Sequence, residues 1–94
     1  MRYELAFLPS ALKEWDKLGA NVRTQFKKKL AERLDNPHVP AARLSCFPDC
    51  YKIKLRAAGY RLVYRVDDKV VTVIVVAAGR RDRNAVYKAA VGRT

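Results

Sequence analysis

The chain has 94 residues, half of them hydrophobic, and carries 20 Lys and Arg against 9 Asp and Glu, a net charge of +11. This length leaves room for one domain, 1–94, with a single core, and the hydrophobic content excludes a disordered chain. The positive surplus predicts a polyanionic partner. The longest apolar run, 70–78 broken only by Thr72, is too short to cross a bilayer, and no secretory signal is recognisable. We therefore expect a soluble cytoplasmic protein.

A strand and two helices are predicted in the first 36 residues. Residues 2–8 alternate well enough for a strand. Ser10 is a good N-cap for a short helix that Gly19 closes, and Asn21 can cap a longer helix that stops at 35–37. Each helix has one apolar face. The outer face of the second helix is expected to carry Arg23, Lys27, Lys28, Lys29 and Arg33.

After a proline-rich loop, 37–48, the stretch CYKIKLRAAGYRLVYRV (50–66) predicts a hairpin that turns near Gly59. If Lys54 lies opposite Arg61, the apolar faces of the two strands coincide, and so do the basic faces. The predicted basic face consists of Lys52, Lys54, Arg56, Arg61 and Arg65. These 17 residues contain no acid, and like charges across a strand pair repel, so we expect the neutralising anion to come from outside the chain.

Residues 70–79 are apolar on both faces, which favours a central strand. The cationic run RRDR follows, and Asn84 can cap a last short helix. The predicted fold is α+β, in the order β-α-α-β-β-β-α: a small antiparallel sheet with the two N-terminal helices packed on its apolar face. The basic face is then left bare, and the last helix lies near the sheet edge.

Cofactor chemistry is not expected. Cys46 and Cys50 lie four residues apart, but His38 is the only histidine, so no four-ligand zinc set can be assembled. We expect two reduced, structural thiols, no metal site, and no role for His38.

The basic face can bind a phosphate backbone or act on it. RNA carries its own nucleophile, the 2′-hydroxyl, so a site need only take its proton, stabilise the phosphorane and help the 5′-oxygen leave. Arginine suits the second task, because its planar, permanently charged donors match phosphate oxygens. A lysine crowded by other cations can take part in proton transfer. From composition alone, Tyr87 is better explained as a core aromatic, and Tyr60 and Tyr64 belong to the buried face.

The segments ALKEWDKLG, FPDCYKIKLRAAGYRLVYR and AGRRDRNAVY, in this order, resemble the RelE family of bacterial toxins, and the resemblance covers nearly the whole chain. It implies a microbial-ribonuclease-like fold. It also implies a metal-independent endoribonuclease that cuts mRNA in the ribosomal A site, between the second and third codon positions, by 2′-hydroxyl attack.

The same resemblance assigns site residues. The catalytic set is Lys52, Lys54, Arg61, Arg81 and Tyr87, with Lys52 as base, Lys54 as acid, the two arginines on the phosphorane and Tyr87 stacking on or orienting the substrate. The roles of the two lysines can be exchanged. RNA- or ribosome-binding residues are expected at Arg23, Lys27, Lys28, Arg43, Arg56, Arg65 and Arg83. One departure is that Ser45 and Cys46 stand where the family often has a basic residue and glycine.

The partners implied are mRNA in the A site, ribosomal RNA, a RelB-type antitoxin that holds the toxin inactive, and operator DNA reached only through the antitoxin complex. Two alternatives remain. A gyrase poison of the ParE type shares the fold but lacks this Lys-Lys-Arg-Arg-Tyr set. A non-catalytic RNA- or ribosome-binding module would use the same electrostatics without cutting. A membrane-surface role is the weakest, because the basic helix has no exposed aromatic residues opposite its charges.

Overall fold

The computed structural model describes residues 2–44, 49–80 and 85–93, and its elements follow the predicted order β-α-α-β-β-β-α. The sheet has the strand order β1-β4-β3-β2, so the doubly apolar β4 is central, as predicted. The elements are β1 (Glu4–Phe7), α1 (Pro9–Lys17), α2 (Ala20–Asp35), β2 (Cys50–Leu55), β3 (Tyr60–Asp67), β4 (Thr72–Arg80) and α3 (Ala85–Arg93), with a short 3-10 turn at Pro40–Ala42 between α2 and β2.

The sheet is mixed. Strands β2, β3 and β4 pair antiparallel as expected, whereas β1 joins β4 in parallel. The predicted hairpin register is confirmed, since Lys54 pairs with Arg61 and Ile53 pairs with Leu62. Gly59 has a φ of 72°, the left-handed conformation that glycine adopts without a steric penalty, which explains the turn at this position.

The helix starts differ from the predicted caps. Helix α1 begins at Pro9 with Leu8 as its N-cap, two residues before the predicted N-cap Ser10, because proline fits the first helical turn, where no N–H partner is needed. Helix α2 begins at Ala20 with Gly19 as its N-cap, so Asn21 lies inside the helix. The predicted stop after Asp35 is confirmed.

Helices α1 and α2 cover one face of the sheet, as predicted. Trp15 and Phe26 from the two helices contact each other in a tilted arrangement with their ring centroids 6.2 Å apart, and both pack into the cluster that holds Leu62, Tyr64 and Val75 of the sheet. Burying large apolar side chains in one contiguous cluster is the main stabilising contribution in a chain of this size.

Helix α3 packs on the opposite face, which corrects the expectation that this face is bare. Val86 and Ala90 of the helix lie in a second buried cluster with Cys50, Val63 and Val76. A β-bulge in β4 produces this surface. The register shifts between Val63 and Tyr64, so Val76 and its neighbour Ala77 both turn toward α3. Such a bulge cannot be recognised in a strand that is apolar on both faces.

Arg33 points toward the sheet rather than out from α2 as predicted. Its Nη1 donates to Tyr64 Oη at 2.8 Å, and its guanidinium carbon lies 5.7 Å from the centre of that ring. Tyr64 Oη in turn donates to the carbonyl of Pro37 at 2.8 Å. Arg33 therefore links α2 to β3. Its side chain points toward the sheet although its position in the helix was predicted to face solvent.

No helix in the described part of the chain combines the length and the apolar composition needed to cross a membrane.

Candidate active site

The hairpin of β2 and β3 brings together three of the five predicted catalytic residues. Lys54 and Arg61 are direct cross-strand partners, which places their Cβ atoms about 5 Å apart. Lys52 lies two positions along β2 on the same face, about 7 Å from Lys54. Lys54 is exposed, whereas Lys52 and Arg61 are half-buried, so the charges sit at the rim and wall of the site.

A depression of about 230 Å³ opens at the turn end of this hairpin. Arg61 and Lys54 contribute cationic groups to it, and Tyr60 contributes an aromatic wall. Its full lining is Lys54, Leu55, Arg56, Tyr60 and Arg61. Single-stranded RNA presents a phosphate next to an exposed base. The depression offers cationic side chains for the phosphate and an aromatic ring on which a base can stack.

Helix α3 adds the fourth predicted residue. Tyr87 lies beside Arg61, whose guanidinium carbon is 5.2 Å from the centre of the tyrosine ring. This distance fits a cation–π contact, which orients the plane of the guanidinium. Tyr87 is half-buried at the margin of the second cluster, so the core position favoured on composition alone is only partly realised.

Tyr60 and Arg80 form a further pair that the sequence did not single out. Arg80 Nε donates to Tyr60 Oη at 3.3 Å, and the guanidinium carbon lies 5.9 Å from the ring centre. Tyr60 and Arg80 are register partners on β3 and β4, beside the pairing of Arg61 with Gly79. The signal available in the sequence was the cationic run that begins at Arg80, directly after Gly79.

A second groove, of about 380 Å³, runs along the free side of β2. Four cationic residues and an apolar wall line it: Arg33, Lys52, Lys54 and Arg56, with Val39, Ala41 and Ala42. Lys54 and Arg56 also line the first depression, so the two form one continuous basic track. A track of this kind suits a polyanionic strand better than a single small anion.

Arg65 is predicted to bind RNA, but it lies four residues along β3 from Arg61, about 13 Å away. It lines a different depression together with Asp49, Asp67 and Asp68. Residues 50–66 contain no acid, but these neighbouring aspartates lie near Arg65 at this end of the sheet. The positive charge is therefore concentrated at the other end, near Lys54.

The remaining predicted binding residues are spread over the surface. Lys27 and Lys28 are exposed on α2. Arg23 is half-buried and donates from Nη1 to the carbonyl of Asp16 at 3.2 Å, which stabilises the corner between α1 and α2. Arg43 is exposed and pairs through its backbone with Tyr51 at the edge of β2. Their binding roles stay predictions.

Several predicted features lie outside the described residues, among them the N-cap at Asn84 and the thiol of Cys46. Arg81 and Arg83 belong to the segment between β4 and α3, and the departure at Ser45 and Cys46 belongs to the segment before β2. The described chain ends at Arg80 and resumes at Ala85.

His38 belongs to a network that shares no residue with the lining of either basic depression. Its Nδ1 lies 2.9 Å from Tyr51 Oη, and its Nε2 lies 3.0 Å from Asp68 Oδ1. Tyr3 Oη donates to the same carboxylate oxygen at 2.6 Å. The hydrogen bond from Tyr3, and to a smaller extent the one from His38, holds the pKa of Asp68 below its ordinary value. The network ties the proline-rich loop to β1 and to the turn before β4.

The buried thiol of Cys50 packs against α3, and burial raises its pKa, which favours the inert protonated form. Within 2–44, 49–80 and 85–93, no three His, Cys, Asp or Glu side chains are grouped so that they could hold a metal ion. The chemistry that the described site offers is therefore that of clustered ammonium and guanidinium groups, which bind phosphate and stabilise added negative charge on it.

Comparison with known proteins gives consistent matches. The family described as "ParE toxin of type II toxin-antitoxin system, parDE" matches residues 5–84. The mRNA interferase toxin RelE of Escherichia coli (strain K12) is 56% identical over 93 residues, which cover 99% of this chain and 98% of the relative.

Solved structures agree. A free E. coli RelE variant with two arginines replaced by alanine superposes with a TM-score of 0.92 at 54% identity, covering 99% of this chain and 98% of that one. The same variant bound to a peptide of the antitoxin RelB gives 0.84 at 53% identity, covering 100% and 99%. The RelE matches are more specific than the ParE family match, because they extend over almost the whole of both chains at more than half identity.

Proposed function

The chain belongs to the RelE family of type II toxins, and we propose that it is a ribosome-dependent endoribonuclease that cleaves mRNA in the ribosomal A site. The relative at 56% identity is an mRNA interferase toxin. The observation that carries the proposal for this chain is the cluster in which Lys54 pairs with Arg61 across the hairpin while Tyr87 lies against the Arg61 guanidinium.

The proposed reaction uses the substrate's own nucleophile. A lysine amine takes the proton of the 2′-hydroxyl, and the 2′-oxygen bonds to the adjacent phosphorus. The bond from phosphorus to the 5′-oxygen then breaks, and that oxygen receives a proton from the second lysine. The products are a 2′,3′-cyclic phosphate and a 5′-hydroxyl end. We assign Lys52 as base and Lys54 as acid, and these roles can be exchanged.

Arg61 is proposed to stabilise the phosphorane. Its guanidinium keeps its positive charge throughout, and the contact with Tyr87 holds it in one orientation, so no reorganisation is needed as negative charge develops. Arg81 is proposed to act on the same phosphate, and the support for this is that it directly follows Arg80, the last residue of β4. Tyr87 is proposed to orient or stack on a base.

The basic track along β2 supports a role in holding the strand on either side of the scissile phosphate. We propose that Arg56 contacts the RNA backbone there, and that Arg23, Lys27, Lys28, Arg43, Arg65 and Arg83 contact RNA or the ribosome. Several separate cationic surfaces suit a ribosome, which surrounds a small protein bound in its A site with ribosomal RNA.

A cognate RelB-type antitoxin is the proposed inhibitor, because a relative at 53% identity binds a RelB peptide. An acidic segment that folds on binding would neutralise the +11 surface. Operator DNA would be reached only through this complex. The proposed site of action is the cytoplasm, where mRNA is translated.

A gyrase-directed function is the second candidate, and the RelE matches do not favour it, although the matching family model is described as a ParE toxin. Primer extension on a defined mRNA, with and without ribosomes stalled with an empty A site, separates the two. We expect cleavage inside the A-site codon only when ribosomes are present. Inhibition of DNA supercoiling by gyrase, with the mRNA left intact, would refute the proposal. Intact mRNA on ribosomes that bind the chain in a salt-dependent way would show a non-catalytic module.

A further inference from the structure

Helix α3, which carries Tyr87, depends on its packing against the sheet. It is nine residues long, and an isolated helix of that length is marginal in water. Among the helix residues whose burial is described, Val86 and Ala90 are buried against Val63 and Val76 of the sheet, and Tyr87 and Ala89 pack half-buried against the same cluster. A polar contact at the other end of the helix adds to this packing.

A two-point ion pair fastens the C-terminal end of this helix to α1. Arg93 Nη1 donates to Glu14 Oε1 at 2.7 Å, and Nη2 donates to Glu14 Oε2 at 3.3 Å. The two side chains are only 24% and 31% exposed. A bidentate, partly buried pair is stronger and better oriented than an ion pair in open solvent, because water competes less for its charges.

The same pair completes the hydrogen bonding of β4 where β1 no longer accompanies it. The β1 pairing ends at Phe7 with Val75, just before the bulge. Beyond this point Arg93 Nη1 donates to the carbonyl of Val76 at 3.0 Å, and the N–H of Ala78 donates to Glu14 Oε1 at 3.2 Å. The two side chains thus satisfy β4 backbone groups that a neighbouring strand would otherwise bind. Their hydrogen bonds connect α1, the β4 bulge and α3.

The positions along α3 explain how this contact reaches the site. Val86, Ala90 and Arg93 are spaced by four and three residues, so they share the face that meets the sheet. Tyr87 precedes Arg93 by six residues, about 9 Å along the helix axis. A rotation or lift of the helix that separates Tyr87 from Arg61 must therefore break the contacts of Arg93.

We propose that Glu14 and Arg93 are positioning residues for the cleavage reaction: they dock α3 on the sheet and so hold Tyr87 against the Arg61 guanidinium. Neither residue belongs to the predicted catalytic or binding sets. Only the expected effect of these residues on the cleavage rate depends on the proposed nuclease function. The docking of α3 itself can be measured without any RNA.

The first measurement is amide hydrogen exchange on the free protein. We expect Arg93→Ala to speed exchange in α3 by about 10-fold or more while α2 and β3 stay protected, since a charge-assisted contact is lost locally. Glu14→Gln keeps the size and an acceptor for Ala78 N–H, so it should give a smaller rise in a fully folded protein. If Arg93→Ala does not fold, Glu14→Gln is the variant that tests the docking role. Unchanged α3 exchange in both variants would overturn the docking role.

The second measurement is single-turnover cleavage on stalled ribosomes. We expect Arg93→Ala to lower the cleavage rate about 10- to 100-fold with little change in ribosome affinity, since misplacement by about 1 Å costs rate rather than binding. In a Tyr87→Ala background the same substitution should cost less than about 2-fold, because its effect passes through that ring. Full additivity, or a wild-type rate in Arg93→Ala despite a loosened α3, would overturn the positioning role.

Arg2→Ala is the matched control. It also removes one arginine from an ion pair, with Asp35 at 3.6 Å, but both partners are more than half exposed. We expect it to change neither α3 exchange nor cleavage. If wild-type protein fails to cleave mRNA at all, the nuclease function is refuted, while the exchange data still decide whether the pair holds α3.

Discussion

Removing one buried hydroxyl should destabilise the support beneath the hairpin of β2 and β3. Tyr64 is fully buried on β3, where its Oη donates to the Pro37 carbonyl at 2.8 Å and accepts from Arg33 Nη1 at 2.8 Å. Burial raises its pKa, so the hydroxyl remains a donor at neutral pH. Tyr64→Phe keeps the ring, including its stacking on Tyr51 at 5.5 Å, and deletes only these two hydrogen bonds.

The expected cost follows from the two bonds. The neutral bond to the Pro37 carbonyl contributes about 1 kcal/mol, and the charge-assisted bond from Arg33 about 1.5–3 kcal/mol. Arg33 is half-buried and can recover some hydration, so the lower part of that range applies. We therefore expect Tyr64→Phe to lower the free energy of unfolding by about 2.5–3 kcal/mol. In a domain of this size that corresponds to a fall in Tm of roughly 10–20 °C.

Urea unfolding followed by the fluorescence of Trp15 measures this change, with equal m-values showing that both proteins unfold in the same way. Tyr60→Phe is the control, because Tyr60 is only half-buried and its hydroxyl accepts one longer bond, 3.3 Å from Arg80 Nε. The control should lose less than about 0.5 kcal/mol. A loss for Tyr64→Phe as small as that of the control would refute the idea that the Arg33–Tyr64–Pro37 chain secures α2 to the hairpin.

Three further predictions concern the site and its pH dependence. Lys54→Ala should lower single-turnover cleavage on ribosomes about 100-fold or more, and an equal loss for Lys69→Ala, in the distant turn, would show a general charge effect instead. Arg61→Lys keeps the charge but loses the planar donors, so cleavage should fall about 30- to 300-fold; a wild-type rate would exclude bidentate phosphate contact. The pKa of Asp68 is lowered in the folded state, so its contribution to stability is present above its unfolded pKa and is lost as pH falls through the folded pKa. The urea midpoint of wild type should exceed that of Asp68→Asn at pH 7, and the two should converge as pH falls through the folded pKa of Asp68. A difference that persists below that pKa would contradict this.

The local patterns that the sequence carries strongly were sufficient for much of the fold. The alternation in 50–66 and the glycine at position 59 determined the hairpin register, and the apolar character of 70–79 on both faces identified the central strand. These features depend on neighbours along the chain or across one tight turn, which is why alternation and turn chemistry suffice for them.

Features that depend on distant contacts could not be predicted in this way. The parallel pairing of β1 with β4, the bulge at Val76 and the inward turn of Arg33 each involve partners far apart in sequence. The Glu14–Arg93 contact spans 79 residues, and neither side chain stands out in the sequence. The Lys54–Arg61 pairing was predictable because it belongs to the hairpin, whereas the contact of Arg61 with Tyr87 required α3 to cross the second face.

Cleavage by the substrate's own 2′-hydroxyl is the central claim, and one substituted mRNA tests it directly. Ribosomes are stalled with an empty A site on two messages that differ only in a 2′-deoxy substitution at the second nucleotide of the A-site codon. The account predicts that the all-ribose message is cut after that nucleotide to give a 2′,3′-cyclic phosphate. It also predicts that the substituted message stays intact on ribosomes that still bind the protein. Cleavage of the substituted message at the same position and rate would contradict the mechanism, because the attacking oxygen would then come from elsewhere.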